Sequence, residues 1–236
     1  MESKSVILFI FEGVTEKIAL ENILKKIFSS NHVDVEFIGS DITSDNNISR
    51  VDIENELKNF VRDKIRPLHI DLSDIQQIVH VIDTDGGFVD SLYIKYDDSV
   101  DRIAYTNDFI LSKNPSLTLK RNKEKTEKVN FLKNREYLKF KSEENLSIPY
   151  QLYFFSRNRE YALQNESREL SRNEKTDMAF DFAIKFQGRE KDFITLVNDS
   201  IIKVPGIFQQ TWSFIQKNNN SLHRYSNFHI LFNDVK

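Results

Sequence analysis

At 236 residues, 39% hydrophobic and 29% charged, with a formal net charge of -3, the sequence has the composition of a soluble globular protein and the length for one domain, alone or with a sizeable insertion. It has no cysteine, which excludes disulfides and thiolate metal sites, and its five histidines form no His-x-x-x-His pair, so any metal is expected on oxygen ligands. No run approaches the roughly 20 apolar residues that cross a bilayer, and no basic segment precedes a cleavable apolar stretch, so a cytoplasmic location with no membrane partner is expected.

Val6-Ile7-Leu8-Phe9-Ile10-Phe11 is a continuous apolar run, the pattern of a strand buried on both faces of a parallel sheet, and it stops abruptly at Glu12-Gly13. Thr15 is placed as the N-cap of a helix reaching about Phe28, with Ile18, Ala19, Ile23, Leu24 and Ile27 spaced to cover the sheet. Glu16 falls in that helix's first turn, where the macrodipole favours a negative charge, so it needs no chemical role. Glu12 is different, because an acid directly after such a run must face a cation, a partner or water. Val33 to Ile38 reads as the next strand. A polar loop rich in Asn, Ser and Asp follows, then a helix from about Val51 to Lys64 with Ile53, Leu57, Phe60 and Val61 on one face.

Val79-His80-Val81-Ile82-Asp83-Thr84-Asp85-Gly86-Gly87-Phe88 begins as another buried strand and ends in two acids and two glycines. Side chains two apart on an extended backbone share a face, so Asp83 and Asp85 are expected to converge while Gly86-Gly87 lets the chain turn. Such a pair suits Mg²⁺, which is held by one or two carboxylates and otherwise by water and phosphate oxygens. The plain alternative is an acidic, solubilising turn. Strands alternating with amphipathic helices imply a parallel α/β sheet, whose ligands collect beyond the carboxyl ends of the strands at a topological switch point. With the first and third strands adjacent, Glu12, Asp83 and Asp85 meet there.

Beyond Phe88 the pattern weakens. Tyr93 to Ile110 mixes acids and aromatics, and Lys120 to Lys141 is dominated by basic residues, beginning with Lys120, Arg121, Lys123 and Lys125. A mixed-charge helix with a solvated face accounts for such a run, and a surface that tracks phosphates beside a metal site is the alternative. Leu152-Tyr153-Phe154-Phe155 is a further apolar strand, and it delivers Ser156-Arg157-Asn158-Arg159-Glu160 to the same edge as Asp83. Helical spacing then recurs near Tyr161 to Asn165, Ser171 to Phe186, Lys191 to Ile202 and Gly206 to Lys217, before a strand-like run at Phe228 to Phe232.

A strand ending in Glu12-Gly13-x-Thr15-Glu16 on a helix, followed later by a strand ending in Asp83-x-Asp85-Gly86, resembles the Toprim domain, a metal-binding α/β fold shared by topoisomerases, bacterial primases and the OLD and RloB types of anti-phage nuclease. The resemblance covers roughly Val6 to Phe88, with Leu152 to Glu160 as a later strand. It implies a Toprim-like parallel sheet flanked by helices: the first part of the core over residues 1–90, a basic, largely helical insertion over 91–148, and the last core strand with a helical C-terminal region over 149–236. It implies Glu12 as the acid closest to proton transfer, and Glu12, Asp83 and Asp85 as ligands of Mg²⁺ or Mn²⁺. OLD-type nucleases place a second glutamate one helical turn after the first, which Glu16 matches. They also carry a Ser-x-Glu after a later strand, which here reads Ser156-Arg157-Asn158, so Glu160 stands as the substitute acid. Their downstream lysine has Lys203 and Arg224 among its candidates.

The expected function is a metal-dependent endonuclease acting on RNA, including tRNA, or DNA, with Arg157, Arg159, Lys120, Arg121, Lys123 and Lys125 on flanking phosphates. The sequence has no ATPase P-loop, so it resembles compact effectors of phage defence by abortive infection that work beside a separate ABC-type ATPase. Assembly into a homo-oligomer is a further expectation. The rival expectation is a Toprim scaffold that has lost chemistry and regulates such a partner. A phospho-acceptor receiver domain would need a lysine soon after Phe155, and none follows.

Overall fold

The computed structural model describes residues 5–29, 32–141 and 145–233. The chain runs β1 (Ser5–Phe11), α1 (Val14–Phe28), β2 (Val33–Gly39), α2 (Ile53–Ile65) and β3 (Ile75–Asp83). It continues with β4 (Ile94–Tyr96), β5 (Ala104–Tyr105), β6 (Ile110–Ser112), α3 (Pro115–Leu132), β7 (Tyr137–Phe140) and β8 (Leu146–Phe155). Four helices follow: α4 (Arg159–Gln164), α5 (Arg172–Phe186), α6 (Glu190–Val197) and α7 (Phe208–Ile215). The central five-stranded sheet has the order β2-β1-β3-β8-β7. Its first four strands are parallel, and β7 lies antiparallel on the edge of β8.

The apolar run of β1 is buried on both faces, as its composition requires. Leu8 and Ile10 point to the side covered by α2, α3 and α7, where Leu57, Val61, Leu132 and Trp212 pack against them and their sheet neighbours. Phe9 and Phe11 point to the other side, into a layer with Leu20, Leu24, Phe182 and Phe193 from α1, α5 and α6. Each such fully buried side chain contributes on the order of 1.5–3 kcal/mol. The result is helices over both faces of a mostly parallel sheet, the α/β class the sequence implied.

Several expectations change. Thr15 is not the N-cap of α1: Gly13 holds that position with no side-chain cap, and the Thr15 hydroxyl donates to Glu16 Oε1 at 3.2 Å. The insertion is not largely helical. It holds a three-stranded sheet, β4-β6-β5, beside α3, and after the edge strand β7 it runs into the first residues of β8. Tyr137 to Phe140 alternate exposed and buried, a short strand whose inward Leu138 and Phe140 stand among lysines in the sequence. Phe228–Phe232 forms a 3-10 helix whose Phe228 and Phe232 pack into the α5–α6 layer. Pro149 sits in β8 opposite Tyr137, ahead of Tyr150, where pairing with β3 begins, so its missing N–H breaks no ladder bond on the β3 side.

Candidate functional site

Strand order reverses between β1 and β3: α1 crosses one face on the way to β2, and α2 crosses the other on the way back to β3. This is the switch point at which ligands of open parallel sheets collect. Glu12 follows β1 directly and Asp83 ends β3, so the fold brings the two acids to the same rim. The Asp83 backbone N–H donates to Glu12 Oε2 at 2.9 Å.

The turn after β3 is built differently from an extended continuation. Thr84 N–H donates to Phe155 O and Asp85 N–H to Arg157 O, each at 2.9 Å, while Arg157 N–H donates to Thr84 Oγ1 at 2.8 Å. Asp85 itself has φ 46° and Gly86 φ 79°. Strict alternation therefore ends at Asp83, and a left-handed turn, not shared strand phase, brings Asp85 back towards Glu12. Glycine is favoured at 86 by this positive φ, and a Cβ there would also come within 2.6 Å of the end of the Ile110 side chain.

Lys125 completes the first acidic group. It is 4% exposed, and its Nζ lies 2.6 Å from Asp85 Oδ2, 2.9 Å from Glu12 Oε2 and 2.9 Å from Ser44 Oγ. The Thr43 hydroxyl donates to the other oxygen, Glu12 Oε1. Burial pushes the Glu12 carboxyl up to about 7, against the pull of Lys125 and with a further push from Asp85. Burial draws the Lys125 ammonium down, and the charges of Asp85 and Glu12 more than reverse this, so it stays protonated. Tyr105 Oη and Arg121 Nη2 both donate to the Asp85 carbonyl, at 3.0 and 2.7 Å, and fix the turn from the side of the small sheet.

A second group adjoins it. Glu16 in α1, 5% exposed, and Glu160 in α4, 2% exposed, flank Arg159, whose Nη2 donates to Glu160 Oε1 at 2.9 Å and whose Nε lies 4.0 Å from Glu16 Oε1. Burial and then the Glu160 charge raise Glu16, with Arg159 opposing. Asp83 stands between the groups: burial first, then Glu16, Asp85, Glu160 and Glu12, push its carboxyl well above the usual range, and its Oδ1 is buried without a hydrogen-bond partner. Glu12, Glu16, Asp83, Asp85 and Glu160 are thus gathered at one rim.

The expected phosphate-binding residues divide. Lys120 and Lys123 are exposed on α3. Arg121 is half-buried and spent on Asp85 and Tyr105. Lys125, Arg157 and Arg159 are corrected from surface to interior. The segment after β8 turns inward beneath residues 222–225: Ser156 N–H donates to Tyr225 O at 2.9 Å, and Arg157 Nε donates to Leu222 O at 2.7 Å. The Arg157 guanidinium lies 3.9 Å over the Tyr161 ring, so it ties loops together and cannot follow a polynucleotide. Of the downstream candidates, Arg224 is taken by Ala162 O, and Lys203 pairs through its backbone with Ser226. The lysine at the site is Lys125, which precedes β8 in the chain.

Sequence reasoning misses Thr43 and Ser44. The signal for them is positional: the polar loop after β2 leaves the same carboxyl rim as Glu12.

Among the described residues, no three His, Asp or Glu side chains form a ready cage for a metal ion. Both oxygens of Glu12 are engaged, which leaves the unpartnered Asp83 Oδ1 and the partly exposed Asp85 as the available ligands. That donor set fits Mg²⁺ bound by two carboxylates with water and phosphate in its other positions, and does not fit an all-protein site.

No protein-family model, curated protein or solved structure matches this chain. Fold and site define an α/β protein with a mostly parallel sheet and a buried acidic rim, and among the described residues no helix is long and apolar enough to cross a membrane.

Proposed function

We propose that this chain is a Toprim-type, metal-dependent endonuclease that cleaves phosphodiester bonds in RNA or DNA, a toxic effector of anti-phage defence acting in the cytoplasm beside an ABC-type ATPase. The observation that carries the reading is that one buried lysine joins Glu12 to Asp85 at the switch point of the sheet, with the Asp83 backbone N–H bonded to the same Glu12 carboxylate. Asp83 and Asp85 would hold Mg²⁺ or Mn²⁺, which when bound polarises a phosphate and stabilises its developing charge. Glu12, whose carboxyl burial raises to about 7, would serve as the acid or base at its carboxylate oxygens. Lys125 holds Glu12 and Asp85 in place with a fixed ammonium whose three N–H donors go to Glu12, Asp85 and Ser44. Lys123 and Lys120, exposed on α3 and the latter in a surface pair with Glu124, would meet flanking phosphates.

Nuclease assays on Asp83→Ala and Glu12→Gln test this: both are expected to lose Mg²⁺- or Mn²⁺-dependent cleavage, and cutting at the wild-type rate removes the site. One observation favours a second reading, a scaffold without chemistry. Side-chain cations already neutralise both acidic groups. Such a scaffold would bind no Mn²⁺ in calorimetry.

A further inference from the structure

The carboxylates at the rim are sorted into two groups, and each has a buried cation of its own. Lys125 joins Glu12 to Asp85, and Arg159 lies between Glu16 and Glu160. We infer that Arg159 is a resident cation in the position a second metal ion would take, so that the centre accepts a single divalent ion, on Asp83 and Asp85. The inference rests on the nuclease reading and specifies how many ions that centre uses.

Three features of Arg159 support it. First, it is a fixed charge: the side chain is fully buried, Nη1 donates to Gln164 Oε1 at 2.5 Å, Nη2 donates to Glu160 Oε1 at 2.9 Å, and Phe182 lies 5.6 Å beneath the guanidinium. A guanidinium does not lose its proton in a protein, so this charge is permanent. Second, it occupies the gap. Its Nε, buried and without a hydrogen-bond partner, lies 4.0 Å from Glu16 Oε1, and a divalent ion on Glu16 and Glu160 would have to share that space against a like charge. Third, the ions of a two-metal site stand only about 3.5–4 Å apart and share a bridging carboxylate between them. Asp83 alone adjoins both groups, and with Arg159 filling the gap between Glu16 and Glu160 its carboxylate finds a second ligand only on the Asp85 side.

The remaining free atom, Glu160 Oε2, sharpens the test, because it is either a ligand in waiting or merely the far side of an arginine pair. Titration of the full chain with Mn²⁺, followed by calorimetry and by the paramagnetic resonance of free Mn²⁺, is expected to give one ion per chain. Glu160→Gln preserves the shape and the bond from Arg159, and is expected to keep Mn²⁺ affinity within about threefold. Asp83→Asn is expected to lower it by tenfold or more, in the about 10–100-fold range typical of damage to the surroundings of a metal. Arg159→Gln, checked for folding by circular dichroism, is expected to gain a second, weaker site. Two ions on the wild type, a tenfold loss in Glu160→Gln, or a folded Arg159→Gln that still takes one ion overturns the inference. Should Arg159→Gln not fold, the stoichiometry and Glu160→Gln decide. Two ions leave the nuclease reading standing, whereas no ion at all removes that reading and this inference together.

Discussion

Lys125 Nζ and Glu12 Oε2 lie 2.9 Å apart, from positions 113 residues distant in the chain, and both side chains are almost completely shielded from water. This pairing joins the insertion to the first strand of the sheet, so the geometry of the acidic rim depends on how α3 docks. Removing one partner of a buried ion pair leaves the other uncompensated, at a cost of about 3–5 kcal/mol, whereas removing both costs much less. Lys125→Met is therefore expected to destabilise the protein by about 3 kcal/mol in denaturant unfolding, and Lys125→Met/Glu12→Gln to recover at least half of it. A double variant as unstable as the sum of the singles would show that the two groups do not act as a pair.

The stability that Glu12 contributes should fall as pH rises towards neutrality. The folded protein holds Glu12 near 7 by burial, well above its ordinary value of 4.5, and Glu16 and Asp83 are displaced in the same direction. A carboxyl raised by folding favours the native state while both states keep the proton, below about 4.5, and that contribution is lost as pH climbs through 7. For Glu12 the loss amounts to roughly 3 kcal/mol at most. Burial lowers His80 to about 3 and His229 to about 4, and these two add stability as pH rises towards 6.5, so Glu12 is read by difference: in thermal melts from about pH 4.5 to about pH 7.5 wild type is expected to lose stability relative to Glu12→Gln, and to lose less with Mn²⁺ present.

Gly86→Ala probes the turn that carries Asp85. Its φ of 79° disfavours any side chain, and a methyl group would press on the end of Ile110 at 2.6 Å and on Asn122 and Tyr105 at 3.1 Å; strain of this kind costs about 1–3 kcal/mol. The variant is expected to melt lower and to lose metal affinity, because relief of the clash moves Asp85. Unchanged Mn²⁺ binding would show that the turn does not set the ligand's position.

The legible part of this molecule is local. Six apolar residues before Glu12, and the apolar run before Asp83-Thr84-Asp85, mark strands and their ends without reference to anything else in the chain. Parallel order then carries both acids to one rim. Long-range pairing is not legible. Nothing in Lys123-Glu124-Lys125-Thr126-Glu127 distinguishes the buried Lys125 from the exposed Lys123, because the apolar face of α3 is thin and its buried positions are largely polar. Arg159 misleads for a similar reason: a charged side chain after a strand is usually solvated, and here Glu160, Gln164 and the Phe182 ring enclose it. Phe228–Phe232 is short and apolar without periodicity, a pattern that suits a strand or a helical turn equally.

The division of the basic residues makes the last prediction. Exposed lysines and buried arginines should fail in different ways. Each phosphate neutralised releases counterions, so the slope of log affinity against log salt changes by about 0.7 to 0.9 for every phosphate left without its cation. Lys120→Ala and Lys123→Ala, on the open face of α3, are expected to weaken nucleic-acid binding and to flatten that slope by about 1.4 to 1.8 in the double variant, with the melting temperature nearly unchanged. Arg157→Ala removes donors to Leu222 O and Asn107 Oδ1 and the stacking on Tyr161, so it is expected to lower stability by about 1–3 kcal/mol and leave the salt slope of the folded fraction intact. A salt slope that responds to Arg157 and not to the two lysines would place the nucleic acid on the other side of the rim, against the loops that Arg157 ties together.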